Sequence, residues 1–198
     1  MSQKKETRVF ILHGFESSPH RNWFPWLKET TELETPTTVQ IVPFPNPNYP
    51  VLSDWKKTLG EMVHSIDERT IFVAHSLGCV TLLHYLSAQQ NLPNFAALYL
   101  VSGFDQPVKN LPELDKFISD GGPIDFAKIK AATPTRVVVT SVNDQIVPTD
   151  LTVAMAHHLD AKLYQRHSGG HFMTEEGYET FPLLYDILSQ QLDHTTTD

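Results

Sequence analysis

Short apolar runs of strand length alternate along this chain with longer segments of helical periodicity. Val9-Phe10-Ile11-Leu12, Val39-Gln40-Ile41-Val42, Ile71-Phe72-Val73-Ala74, Ala96 to Val101 and Val137-Val138-Val139 are such runs, and Leu163-Tyr164-Gln165-Arg166 is a weaker, partly alternating sixth. Runs that are apolar on both faces suit parallel strands buried between two helix layers. Helical spacing fills the gaps at Trp23–Glu34, Trp55–Ile66, Leu77–Ala88, Leu151–Leu159 and Tyr178–Leu192. The alternation predicts an α/β fold: three layers around a doubly wound, mostly parallel six-stranded sheet, for which the strand order 2-1-3-4-5-6 is expected.

Two stretches break the rhythm. Pro43 to Pro50 holds four prolines and is expected to be an extended loop. Gly103 to Pro134 has only short helical patterns, at Leu111–Ile118 and Phe126–Ala131, split by Gly121-Gly122-Pro123. Neither reads as a linker, so residues 1–198 are expected to form one domain. The polar tail His194 to Asp198 is expected to fray.

Charge and cysteine content narrow the function. The formal net charge is −8, with no basic run, which argues against a nucleic-acid or anionic-membrane surface. Cys79 is the single cysteine, so neither an internal disulfide nor a cysteine-based zinc site can form. No apolar stretch reaches the ~20 residues that span a bilayer, and the N-terminus lacks the pattern of a signal peptide. The expectation is a cytoplasmic protein that needs no cofactor or metal.

Chemistry enters at Ala74-His75-Ser76-Leu77-Gly78, where an apolar strand runs into a helix with a serine at the turn. A Gly-x-Ser-x-Gly elbow holds its serine in a strained backbone aimed out of the sheet, beside the free N–H groups of a helix N-terminus. Here Ala74 stands where the first glycine usually does. The plain alternative is that Ser76 only caps the helix.

A serine needs a base to take its proton, and in this architecture the partners follow in the order acid, then histidine. Asp144 lies just past the Val137–Val139 strand and suits the acid, although aspartate also favours turns. Asp105 follows the Ala96–Val101 strand and competes for the role, while Asp150 reads as the cap of the next helix. After the last strand come His167-Ser168-Gly169-Gly170-His171-Phe172. The paired glycines free the backbone to carry His171 over the sheet edge as the base, and His167 reads as structural.

His13-Gly14-Phe15 follows the first strand, and there the Phe15 amide is expected to pair with the Leu77 amide as an oxyanion hole. His13, Gly14, His75, Phe104, Phe126 and Phe172 are expected to line the substrate site. Trp23, Phe24 and Trp26 read as core, or alternatively as a protein-binding face.

These marks resemble the retinoblastoma-binding-protein-9-like family of small serine hydrolases, from Val9 to Leu188. The resemblance rests on His13-Gly14 with Ser17-Ser18, Asn22-Trp23-Phe24-Pro25-Trp26-Leu27, the proline-rich loop before Asp54-Trp55, the Ser76 elbow, Asn143-Asp144 and Gly169-Gly170-His171-Phe172. It implies a compact α/β-hydrolase without a large cap, with Ser76, Asp144 and His171 as its catalytic triad. The expected reaction is hydrolysis of a small or short-acyl ester through an acyl-enzyme. An amidase, peptidase or thioesterase with the same triad, or a protein-interaction module with weak turnover, are the alternatives. A protein partner is not legible in the residues.

Overall fold

The computed structural model describes residues 6–195. Six parallel strands form one sheet: β1 (Thr7–Leu12), β2 (Thr37–Val42), β3 (Thr70–His75), β4 (Ala97–Val101), β5 (Thr135–Ser141) and β6 (Lys162–Arg166). Their order is β2-β1-β3-β4-β5-β6, the doubly wound order expected. The central registers pair Leu12 with Ala74 and His75 with Val101, so β1, β3 and β4 end close together.

Seven helices cover the sheet: α1 (Phe24–Glu34), α2 (Leu52–Val63), α3 (Leu77–Ser87), α4 (Asp115–Ser119), α5 (Phe126–Ala132), α6 (Thr149–His158) and α7 (Pro182–Thr195). Successive strand residues face opposite layers. Phe10, Leu12, Phe72, Leu98 and Leu100 pack with α2 to α6, while Val9, Ile11, Ile71, Tyr99 and Val139 pack with α1 and α7. The helix α3 is buried on nearly every side, which its continuous apolar sequence requires. The edge strand β6 is polar, with Lys162, Gln165 and Arg166 exposed. Such charge on a sheet edge discourages pairing with another chain.

Several boundaries differ from the sequence pattern. Helix α2 starts at Leu52, three residues before Trp55, because Leu52 is its first buried position. It ends at Val63, and His64 follows at φ 51°. Helix α7 starts at Pro182 rather than Tyr178, since a 3-10 turn (Thr174–Glu176) and the left-handed Gly177 come first. Proline loses nothing at a first helical position. Asp150 lies within the first turn of α6 and makes no cap. Helix α7 runs on to Thr195, into the tail expected to fray, and residues 196–198 lie outside those described. Trp23 and Phe24 are fully buried and Trp26 packs on Tyr185, so this aromatic cluster is core.

Among the described residues no helix is long and apolar enough to cross a membrane.

Candidate active site

The first two strands to consider are β1 and β3, because their connections leave in opposite directions across the sheet. That makes the crevice beyond their carboxyl ends a ligand-binding position. Ser76 stands at the end of β3 with φ 54° and ψ −124° and makes no side-chain cap to α3. The capping alternative is therefore not what the structure holds. Its own N–H is tied to the Val101 carbonyl at 2.9 Å, which fixes the elbow to β4. A non-glycine residue in this region is strained, and strain of this kind persists where the surroundings over-determine it.

Glycine is required where the β1 loop meets that elbow. A Cβ at Gly78 would come within 2.6 Å of the His13 carbonyl oxygen, and one at Gly14 within 2.9 Å of the Ser76 Cβ. The β1 loop and the elbow thus touch backbone to backbone. Ala74 fits in place of the usual first glycine and is fully buried in β3.

The imidazole of His171 is buried and its Nδ1 donates to Asp144 Oδ2 at 2.8 Å. Asp144 Oδ1 also accepts from the amides of Ile146 (2.9 Å) and Val147 (3.0 Å). Burial alone pushes this carboxyl pKa up. The bond from His171 and the two amides outweigh it and hold the group below the usual carboxylate range. With Nδ1 protonated toward Asp144, the other ring nitrogen keeps a lone pair. Ser76 and His171 line one cleft of about 410 Å³, and their side chains are not hydrogen-bonded to each other. That contact is commonly loose without substrate and tightens on binding.

The amides of Phe15 and Leu77 have no acceptor among the described residues. His13 explains the first. It does not line the cleft, contrary to the sequence expectation, but lies fully buried behind the loop against Phe44 and Trp55. Its Nδ1 donates to the Gly14 carbonyl at 2.9 Å and its Nε2 accepts from the Phe44 amide at 3.3 Å. Because the peptide is planar and trans, holding the Gly14 oxygen on one side turns the Phe15 N–H to the other. Burial lowers the His13 pKa and keeps the ring neutral for both bonds.

The cleft wall is made by Gly14, Phe15, His75, Leu111, Ile146 and Met173, and its polar rim by Glu16, Ser17, Arg21, Asn22, Glu113 and Glu175. Arg21 and Glu175 form an ion pair across the rim. Three aromatic residues expected at the site are elsewhere. Phe104 is buried in the core, two residues after Ser102 at φ 47°. Phe126 lies against His158, with ring centroids 5.1 Å apart and the rings tilted by 44°. Phe172, at φ 58°, faces Phe181 and Tyr178 beneath the loop. Leu111, Ile146 and Met173 supply the apolar surface instead. The sequence signal for them was weak, since each is one apolar residue in a loop or turn.

The rival residues are placed away from this cleft. The buried carboxylate of Asp105 bonds the Nδ1 of His158, and His167 is exposed at the end of β6. Cys79 is buried, which pushes its thiol pKa far up and leaves it inert. Among the described residues no group of three or more His, Cys, Asp or Glu side chains is arranged to hold a metal.

The comparisons with known proteins place the chain in a family. The family model described as serine hydrolase matches residues 9–190. The protein YdeN of Bacillus subtilis (strain 168) is 38% identical over 189 residues, covering 96% of this chain and 98% of YdeN. The serine hydrolase RBBP9 of Rattus norvegicus is 28% identical over 171 residues, covering 86% and 88%. The crystal structure of the B. subtilis ydeN product superposes with a TM-score of 0.89 at 37% identity, over 94% of this chain and 99% of that one. Fold and sequence thus converge, and the chain belongs to the serine hydrolase family.

Proposed function

We propose that this hydrolase cleaves small, short-acyl carboxylic esters through an acyl-enzyme on Ser76. One observation carries the reading: a serine on a strained strand-to-helix turn shares a cleft with an imidazole whose far nitrogen is bonded to a buried carboxylate. His171 takes the Ser76 proton as Oγ attacks the ester carbonyl, and the amides of Phe15 and Leu77 receive the developing oxyanion. The imidazolium, held by Asp144, then gives its proton to the departing alcohol. Water enters by the same route and releases the acid, which restores Ser76.

The ester reading over the amide reading rests on the open, polar-rimmed cleft. It has few groups to grip an extended peptide, and an alkoxide leaves more readily than an amine. Rapid mixing with p-nitrophenyl acetate tests it. A burst of one nitrophenolate per chain, followed by slower turnover, is expected. Turnover of the matched anilide at a rate equal to the ester would instead support an amidase.

A further inference from the structure

The loop that carries His171 leaves an exposed edge strand through Gly169 (φ 148°) and Gly170 (φ 56°), which by themselves give the backbone wide freedom. Yet all four backbone polar groups of Gly170 and His171 are held by side chains of other segments. Asn143 Oδ1 accepts from the Gly170 N–H at 3.0 Å, and the Ser141 hydroxyl donates to the Gly170 carbonyl. The Glu176 carboxylate accepts from the His171 N–H at 2.8 Å and from the Met173 N–H at 3.1 Å. The Nε2 of His75 donates to the His171 carbonyl at 2.7 Å.

We infer that His75 and Glu176 are positioning residues for the base, gripping the His171 backbone from opposite sides so that its imidazole is held at Ser76. The inference rests on the ester-hydrolase reading above. His75 precedes Ser76 directly on β3, so the strand that aims the serine also fixes the histidine. The distance between the two reacting groups then depends on β3 rather than on a glycine loop. Glu176 closes the clamp from the 3-10 turn after the loop, and a side chain at Gly170 would collide with it.

The chemistry of His75 suits a permanent donor. A carbonyl can only accept, so Nε2 carries the proton and Nδ1 does not. Nδ1 is buried without a partner, and the rings of Trp23 and Phe24 pack on the imidazole. A second proton there would be an unpaired charge among aromatic rings. The titratable groups facing it are His171, Asp144 and His13, and burial, the largest influence, pushes its pKa down to about 3. The ring therefore stays neutral, with its donor in place, at neutral and mildly acidic pH.

The test compares His75→Gln, which keeps an N–H near the Nε2 position, with His75→Leu, which does not. Glu176→Gln and Glu176→Leu do the same on the exposed side. Steady-state hydrolysis of p-nitrophenyl acetate, thermal melting and the downfield proton NMR signal of the Asp144–His171 bond are the readouts. The leucine variants should lose up to about 10²-fold in kcat, the cost of misplacing a reacting group by ~1 Å, with KM little changed. Their downfield signal should broaden or vanish, and the glutamine variants should recover most of both. A folded His75→Leu with wild-type kcat, or glutamine and leucine variants equally impaired, would overturn the inference. Should His75→Leu fail to fold, the Glu176 pair decides. Absence of turnover in the wild type would count against the ester reading alone, because the proton signal still reports the clamp.

Discussion

Asp144 accepts three hydrogen bonds with its two oxygens, and each has a different consequence. The two amides hold the carboxylate rigid and ionised, and the third bond selects the tautomer of His171. Asp144→Asn should keep the packing but offer an amide N–H to Nδ1. That favours the wrong tautomer and should lower kcat by about 10⁴-fold with KM nearly unchanged. Asp105→Asn should have little effect on kcat, because Asp105 is committed to His158. His75 gives a second expectation, on stability. Its folded pKa of about 3 lies below the ordinary 6.5, so between those values the unfolded chain binds more protons than the native one. Its contribution is whole above about pH 6.5 and is lost as pH falls toward 3, on the order of 1 kcal/mol per pH unit. His13 adds in the same direction. Urea unfolding at about pH 7, 5.5 and 4.5 should show this slope, and it should be shallower in His75→Gln. A slope unchanged in that variant would show that His75 is not the titrating group.

At the scale of elements, the site is a meeting of loops that follow β1, β3, β5 and β6. The first two approach closely at Gly14 against Ser76. Gly14→Ala places a methyl group 2.9 Å from the Ser76 Cβ and must push the two loops apart. Losing one oxyanion donor typically costs about 3–4 kcal/mol, so kcat should fall by about 10²- to 10³-fold while the protein stays folded. A variant with unchanged kcat would remove the Phe15 amide from the mechanism. The same elements show what the sequence could disclose. The Ser76 elbow, Asp144 and the Gly169-Gly170-His171 loop were legible because each is a local pattern, a strand end followed by turn-forming residues. The lining was not, because an aromatic residue in a loop carries no periodicity to say which way it faces. Phe104 and Phe172 are both in the core, each at or near a residue of positive φ that no local pattern announces. The partners of Asn22 on Thr174 and of Arg21 on Glu175 were also hidden, since they lie about 150 residues apart and no local rule links them.

For the molecule as a whole, the crossing of the chain between β1 and β3 sets where the cleft opens, and the segment from Gly103 to Pro134 sets how much covers it. That segment forms α4, α5 and one 3-10 turn, and reaches the cleft only through Leu111 and Glu113. The apolar wall is correspondingly short. Each methylene buried against it should add about 0.8 kcal/mol, or roughly fourfold in kcat/KM, until the wall ends. A p-nitrophenyl ester series should therefore rise over the first few acyl carbons and then fall. A continued rise to long chains, or activation at an oil–water interface, would mean that the segment works as a lid. The expectations for activity depend on Ser76 being the residue that forms the covalent bond. The most direct measurement is reaction of the wild type with a fluorophosphonate, followed by mass spectrometry of the intact chain and of its peptides. One phosphonyl group per chain, located on Ser76 and absent from folded Ser76→Ala, is the expected result. Full labelling of Ser76→Ala, or an adduct mapped to any other residue, would contradict the account.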